Sequence, residues 1–137
     1  MNRRLITSIV IFLMLMALTV FAIKAFAVYP SYKGYVNDFA NVLRGDTKQA
    51  LNTKLSEFDK KTTNQIAVVT VETTEPEVIE DYSIHLADQW KPGQKGKDNG
   101  VIMLFAMKDR KMRIEVGRGL EGELTDVESK HILDDTI

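Results

Sequence analysis

Two short uncharged runs leave this chain few folds. Gln65–Val71 is β-branched and almost wholly apolar, and Val101–Met107 is apolar throughout. Runs of that length, bounded by turn residues, read as strands buried on both faces. Between them, Thr73-Thr74-Glu75-Pro76 breaks the first run, with Pro76 suited to the first turn of a helix. Ile79, Tyr82, Leu86 and Trp90 then recur at helical spacing. Lys91–Gly100 holds three glycines and a proline and reads as a loop. Strand, helix, strand in about 40 residues predicts a parallel pair with a right-handed crossover.

The flanking patterns complete an architecture. Lys108-Asp109-Arg110 is a tight polar turn. Lys111–Val116 alternates, with Met112, Ile114 and Val116 on one side and Lys111, Arg113 and Glu115 on the other. This predicts a half-exposed strand in a hairpin with the run before it. Upstream, Leu51, Leu55 and Phe58 lie at i, i+4 and i+7, opposite Lys48, Asn52, Lys54, Glu57 and Lys61. That is an amphipathic helix over about Thr47–Lys61, with Asp46 and Gln49 at capping-box spacing. Val28–Tyr35 reads as an extended lead-in. Thr125 and Glu128 form a second capping box, opening a helix that carries Val127, Ile132 and Leu133. The expected fold is a three-layer α/β/α sandwich with a mixed central sheet, a βαβ unit plus an antiparallel hairpin. The chain stops at Ile137 inside the last helical pattern, and we expect further sequence to complete the domain.

The first 27 residues differ from the rest. Arg3 and Arg4 precede Leu5–Ile23, an uncharged apolar run of 19 residues, and Lys24 and Ala25-Phe26-Ala27 follow. A basic start, an apolar middle and a small-x-small end make a secretory signal peptide. The run is also long enough for a membrane anchor that is never cut. Either way Arg3 and Arg4 stay inside, and residues 28–137 lie outside the cytoplasm, secreted, periplasmic or anchored. Setting Arg3, Arg4 and Lys24 aside leaves 15 basic against 19 acidic residues, about −4 for residues 28–137. With no basic stripe interleaved with aromatics, nucleic acid is not an expected partner. The chain has no cysteine, which excludes disulfides, thiol nucleophiles and cysteine metal sites.

Several motifs are specific enough to resemble a family. Gly34-Tyr35-Val36-Asn37-Asp38-Phe39-Ala40 with Leu43, the run Gln65–Val71, and Lys97-Asp98-Asn99-Gly100-Val101 occur in the order and spacing of a TPM domain of the YgcG type. Arg113-Ile114-Glu115-Val116-Gly117-Arg118-Gly119-Leu120-Glu121-Gly122-Glu123-Leu124-Thr125-Asp126 is similar to its signature almost throughout. The resemblance covers about Tyr32–Ile137. It implies an α/β/α sandwich in exported or lumenal proteins, often beside a transmembrane segment. Weak acid phosphatase activity and divalent-cation binding are attributed to members, which include a thylakoid-lumen protein and an auxiliary subunit of a nematode receptor. The family usually continues past this chain's end with another helix and loop.

The candidate chemistry is acidic. Gly117–Gly122 spells G-x-G-x-x-G, but it follows the second arm of a hairpin and its helix starts late, at Thr125. That context rejects a nucleotide site and leaves a turn whose glycines take positive φ. Asp98 and Asn99 enter a strand, and Glu121 and Asp126 flank the start of the last helix. Antiparallel pairing puts the start of one strand beside the end of the other, so these residues share one end of the sheet. The resemblance places Asp38 there too. Such oxygen ligands suit Ca²⁺ or Mg²⁺; they serve equally as caps and turn residues. Lys91, Lys95, Lys97 and Arg118 are placed to ring the same crevice, for an anion or as solvated charges. His85 reads as a half-buried packing residue between Tyr82 and Leu86, His131 as helical, and Trp90 as helix packing. With no catalytic constellation in the sequence, the expected role is a non-catalytic accessory module for a membrane or envelope protein partner, stabilised by a cation. The alternative is a weak metal-dependent acid phosphatase.

Overall fold

The computed structural model describes residues 2–20, 27 and 29–135. Four strands form one sheet in the order β1 (Val36–Asp38), β2 (Gln65–Val71), β3 (Gly100–Ala106) and β4 (Lys111–Val116). β1, β2 and β3 run parallel and β4 antiparallel, with Gln65 opposite Gly100 and Val101 opposite Val116. The parallel pair and the hairpin are as expected, β3 starting and ending one residue earlier. β1 is additional. It continues the extended lead-in and pairs Val36-Asn37-Asp38 with Val68-Val69-Thr70.

Alternation along the strands makes two cores, one per face. Ala67, Val69, Val71, Ile102, Leu104 and Ala106 meet Ile79, Tyr82 and Leu86 of the crossover helix, Ile79–Trp90. Val101 and Ile114 point the other way, and with Ile66, Met103 and Val116 they pack against Leu120, Leu124 and Leu133. Leu133 belongs to the last helix, Asp126–Asp134. The long helix Gly45–Thr62 lies against β1 and β2 on this second face, where Lys48 reaches Asp38, the register partner of Thr70. We call these helices, in chain order after the N-terminal α1 (Arg3–Val20), α2 (Gly45–Thr62), α3 (Ile79–Trp90) and α4 (Asp126–Asp134). The three layers are α3, the sheet, and α2 with α4.

Local details correct several expectations. Asp46 sits inside the first turn of α2, whose cap position is Arg44 with no side-chain cap; Asp46 accepts instead from Thr47 N and pairs with Arg44. Pro76 precedes α3, which begins at Ile79. The Thr125–Glu128 capping box is present, but Val127 is 65% exposed and only Leu133 of the three apolar positions packs on the sheet. Arg113 and Glu115 do not face open solvent. α3 covers them, and Ser83 Oγ donates to Glu115 at 2.8 Å while accepting from Arg113 Nε at 3.0 Å.

The apolar N-terminal run forms α1, whose large side chains from Leu5 to Met14 are exposed. No helix among the described residues is long and apolar enough to cross a membrane. Residues 21–26, which carry Lys24, Ala25 and Phe26, lie outside the described residues, and so does the expected cleavage junction before Val28. The lead-in then runs along α3 as a strap. Ala27 and Tyr29 pack on the first core. The Tyr29 ring lies 5.1 Å from that of Tyr82, and its hydroxyl donates to the Glu77 carboxylate at 2.6 Å. Burial first, and then Glu77, push the Tyr29 hydroxyl up to about 12. Trp90 Nε1 donates to Pro30 O at 2.7 Å, and Tyr32 meets the Trp90 ring edge-on. Trp90 thus packs as expected. His85 is exposed rather than a packing residue, because its ring turns out to meet the Tyr29 hydroxyl at 2.8 Å and Glu77 at 3.3 Å.

Candidate functional site

A cleft of about 620 Å³ lies where β3 begins and β4 ends. The C-terminal half of α3, the loop 91–98 and the turn after Val116 form its walls. Its floor is held by amides. Gln65, the first residue of β2, accepts from Gly93 N through Oε1 at 2.7 Å. Asn99 is buried and uses its whole head group: Oδ1 accepts from Gln94 N at 2.7 Å, and Nδ2 donates to Thr63 O at 2.6 Å and to Asn64 Oδ1. Removing three such bonds from a buried site should cost about 2 kcal/mol or more. Asn99→Ala is therefore expected to keep the fold but speed amide hydrogen exchange at Gln94 and Gly93, as NMR would show.

The glycines of G-x-G-x-x-G have a different reason from the one expected. Gly117 sits at φ −65°, and none of the three takes positive φ. A Cβ on Gly117 would lie 2.1 Å from Asp98 O, and one on Gly119 would lie 2.0 Å from Lys97 O. The two backbones touch, with Gly119 N donating to Asp98 O at 3.0 Å. The positive-φ burden falls on the facing loop, at Gly93, Gly96 and Asp98 itself; aspartate is among the few side chains that tolerate this region.

The five predicted ligands do not come together. Asp98 and Glu121 line the cleft, with Lys91, Lys95, Arg118 and Asp88 around them. Asn99 lies beneath as a support. Asp126 lines a separate groove of about 380 Å³ with Arg113, Ser129 and Lys130. Asp38 is at the opposite end of the sheet. It pairs with Thr70, whereas Asp98 precedes Gly100, the partner of Gln65. Five strand residues at about 3.3 Å each separate those levels. The resemblance could not show this, because parallel strands carry like ends to one side, and Asp38 ends its strand while Asp98 precedes its own.

Asp38 is also fully engaged where it stands. Its oxygens accept from Val42 N at 3.0 Å, Leu43 N at 3.1 Å and Thr70 Oγ1 at 2.5 Å, and pair with Lys48 Nζ at 2.7 Å. Burial alone would raise its pKa, but Lys48, Thr70 and the two N–H groups outweigh burial and hold the carboxyl well below the usual range. Among the described residues, no three of His, Cys, Asp and Glu gather closely enough to hold a metal. Of the five, Asp98 and Glu121 are the two that line one cleft.

Sequence reasoning missed Gln65 and Asp88 as parts of this cleft. It also missed Asp109, which accepts from Thr74 N at 2.8 Å and Thr73 Oγ1 at 2.7 Å and ties the hairpin turn to the chain before α3. A polar residue opening an otherwise apolar strand was the one available signal for Gln65.

Comparison with known proteins agrees with this fold. The TPM domain family matches residues 36–137. The solution structure of the N-terminal domain of a P. gingivalis protein is similar, with a TM-score of 0.68 and 31% identity; the match covers 74% of this chain and 64% of that one. The N-terminal domain of a Corynebacterium glutamicum protein has the same fold, with a TM-score of 0.59 and 16% identity over 80% of this chain and 70% of that one. None of the curated proteins matches the chain. The profile match and the shared fold together make the chain a member of the TPM domain family.

Proposed function

We propose that this chain is an extracytoplasmic accessory module, which binds a protein partner of the membrane or envelope through the cleft between α3 and the β4 turn. The observation that carries the reading is the character of that cleft. Lys91, Lys95 and Arg118 share its lining with Asp98, Glu121 and Asp88, over a floor of packed backbone. No histidine, serine, threonine or cysteine is among the described residues that line it. Mixed charge on a rigid support suits recognition of a polar surface, where complementary charge sets specificity. The exposed apolar side chains of α1 support membrane targeting or anchoring by residues 1–27. Ca²⁺ or Mg²⁺ bound weakly between Asp98 and Glu121 would hold the loop and the turn together.

The test has two arms. A photo-reactive side chain at Lys95 in the full chain should give one saturable protein adduct in the native envelope, and Arg118→Glu should abolish it. Millimolar Ca²⁺ or Mg²⁺ should raise Tm relative to Na⁺ at matched ionic strength, following RT ln(1 + [L]/Kd), and Asp98→Asn should remove the rise. Divalent-dependent hydrolysis of an aryl phosphate that disappears in Asp98→Asn would reverse the ranking and favour the weak metal-dependent acid phosphatase.

A further inference from the structure

The strap gives the direction in which the lead-in runs over the domain. α3 crosses back between the parallel strands β2 and β3, so its first residues lie where β1, β2 and β3 finish and Trp90 lies where they begin. Tyr29 meets Glu77, Tyr82 and His85, and Pro30 then meets Trp90. The lead-in therefore travels from the finishing end of the strands toward the starting end. The cleft is at the starting end.

The finishing end has a second, independent property. Three loops meet there, after β1, before α3 and after β3, and each presents an exposed large apolar side chain: Val42, Val78 and Met107, at 47%, 53% and 45% exposure. Arg44 and Lys108 stand beside them, paired with Asp46 and Glu72. Among the described residues, neither the loop 91–98 nor the turn 117–122 carries an exposed large hydrophobic. Apolar tips among balanced charges suit the boundary between headgroups and acyl chains, where a side chain gains by leaving water. The tether is short as well. Three residues lead from Lys24, which closes the apolar run, to Ala27, a reach of about 10 Å when extended.

We propose that this end of the domain rests on the lipid headgroup surface through Val42, Val78 and Met107, so that the cleft opens away from the bilayer. The proposal rests on the extracytoplasmic reading above, with residues 1–27 retained as an anchor. The cleft's ligand then arrives from the aqueous side and not from the lipid.

The experiment uses the full chain in phosphatidylcholine vesicles doped with a headgroup-nitroxide lipid. The chain has no cysteine, so Met107→Cys and Lys95→Cys can each carry one fluorophore. Quenching should be several-fold stronger at 107 than at 95. Inserting about 20 Gly/Ser residues after Ala27, a flexible span of roughly 25 Å, or combining Val42→Ser with Val78→Ser, should reduce quenching at 107. Equal quenching at both sites, or stronger quenching at 95, overturns the orientation and leaves the accessory reading standing. Intact mass showing that the mature chain starts at Val28 and is free of the membrane overturns the anchor, and the orientation with it.

Discussion

Asp38→Ala is expected to destabilise the domain by roughly 3–5 kcal/mol, the cost of breaking a buried ion pair and stranding its partners. The carboxylate ties four elements at once: β1, the chain at Val42–Leu43, Thr70 of β2 and Lys48 of α2. Its side chain is only 2% exposed, so water cannot replace it. Lys48 is 39% exposed and can be rehydrated, which favours the lower part of that range. For a domain of this size, roughly 4–8 °C per kcal/mol implies a fall in Tm of about 15 °C, measurable by circular dichroism. The same carboxyl predicts an acid dependence. Its folded pKa lies below the unfolded value of 3.8, so its contribution is complete above that value and is lost as pH falls below it. Asp38→Asn should therefore flatten the acid limb of the stability profile. An unchanged limb would show that Asp38 is not the group responsible.

Gly119→Ala is expected to be as damaging at the other end of the sheet. Overpacking costs about 1–3 kcal/mol where neighbours can shift. Here the neighbour is a main-chain carbonyl, Lys97 O, 2.0 Å from the added methyl. To relieve the clash, the loop must lose the Gly119 N to Asp98 O bond. We expect about 3 kcal/mol and a disrupted cleft, and much the same for Gly117→Ala. Gly122→Ala is the control: nothing lies within 4 Å of its added Cβ, so its Tm should stay within about 2 °C of the parent. Equal losses at all three positions would mean that the motif serves backbone conformation and not close approach.

The sheet was readable because both buried strands are uncharged and almost wholly apolar runs, and the hairpin because Lys111–Val116 alternates cleanly. β1 was not, since three residues with a polar centre carry no periodicity, and Asn37 is buried with its side chain accepting from Lys33 N and donating to Gly34 O and Val68 O. At the site, antiparallel pairing placed Asp98 and Glu121 correctly. Asp38 could not be placed that way, because its position depends on the direction of a strand the pattern did not reveal. Asp126 is near in sequence to Glu121 but follows the turn onto α4, and short sequence distance did not keep the two together. Of the four basic residues expected around the crevice, Lys91, Lys95 and Arg118 line the cleft and Lys97 is not in its lining.

The amide floor has a consequence for how this cleft responds to its surroundings. Gln65 and Asn99 carry no proton that titrates at any ordinary pH. Acid therefore has no handle on the floor of the cleft through these two side chains, whose bonds to Gly93, Gln94 and Thr63 stay as they are while the medium changes.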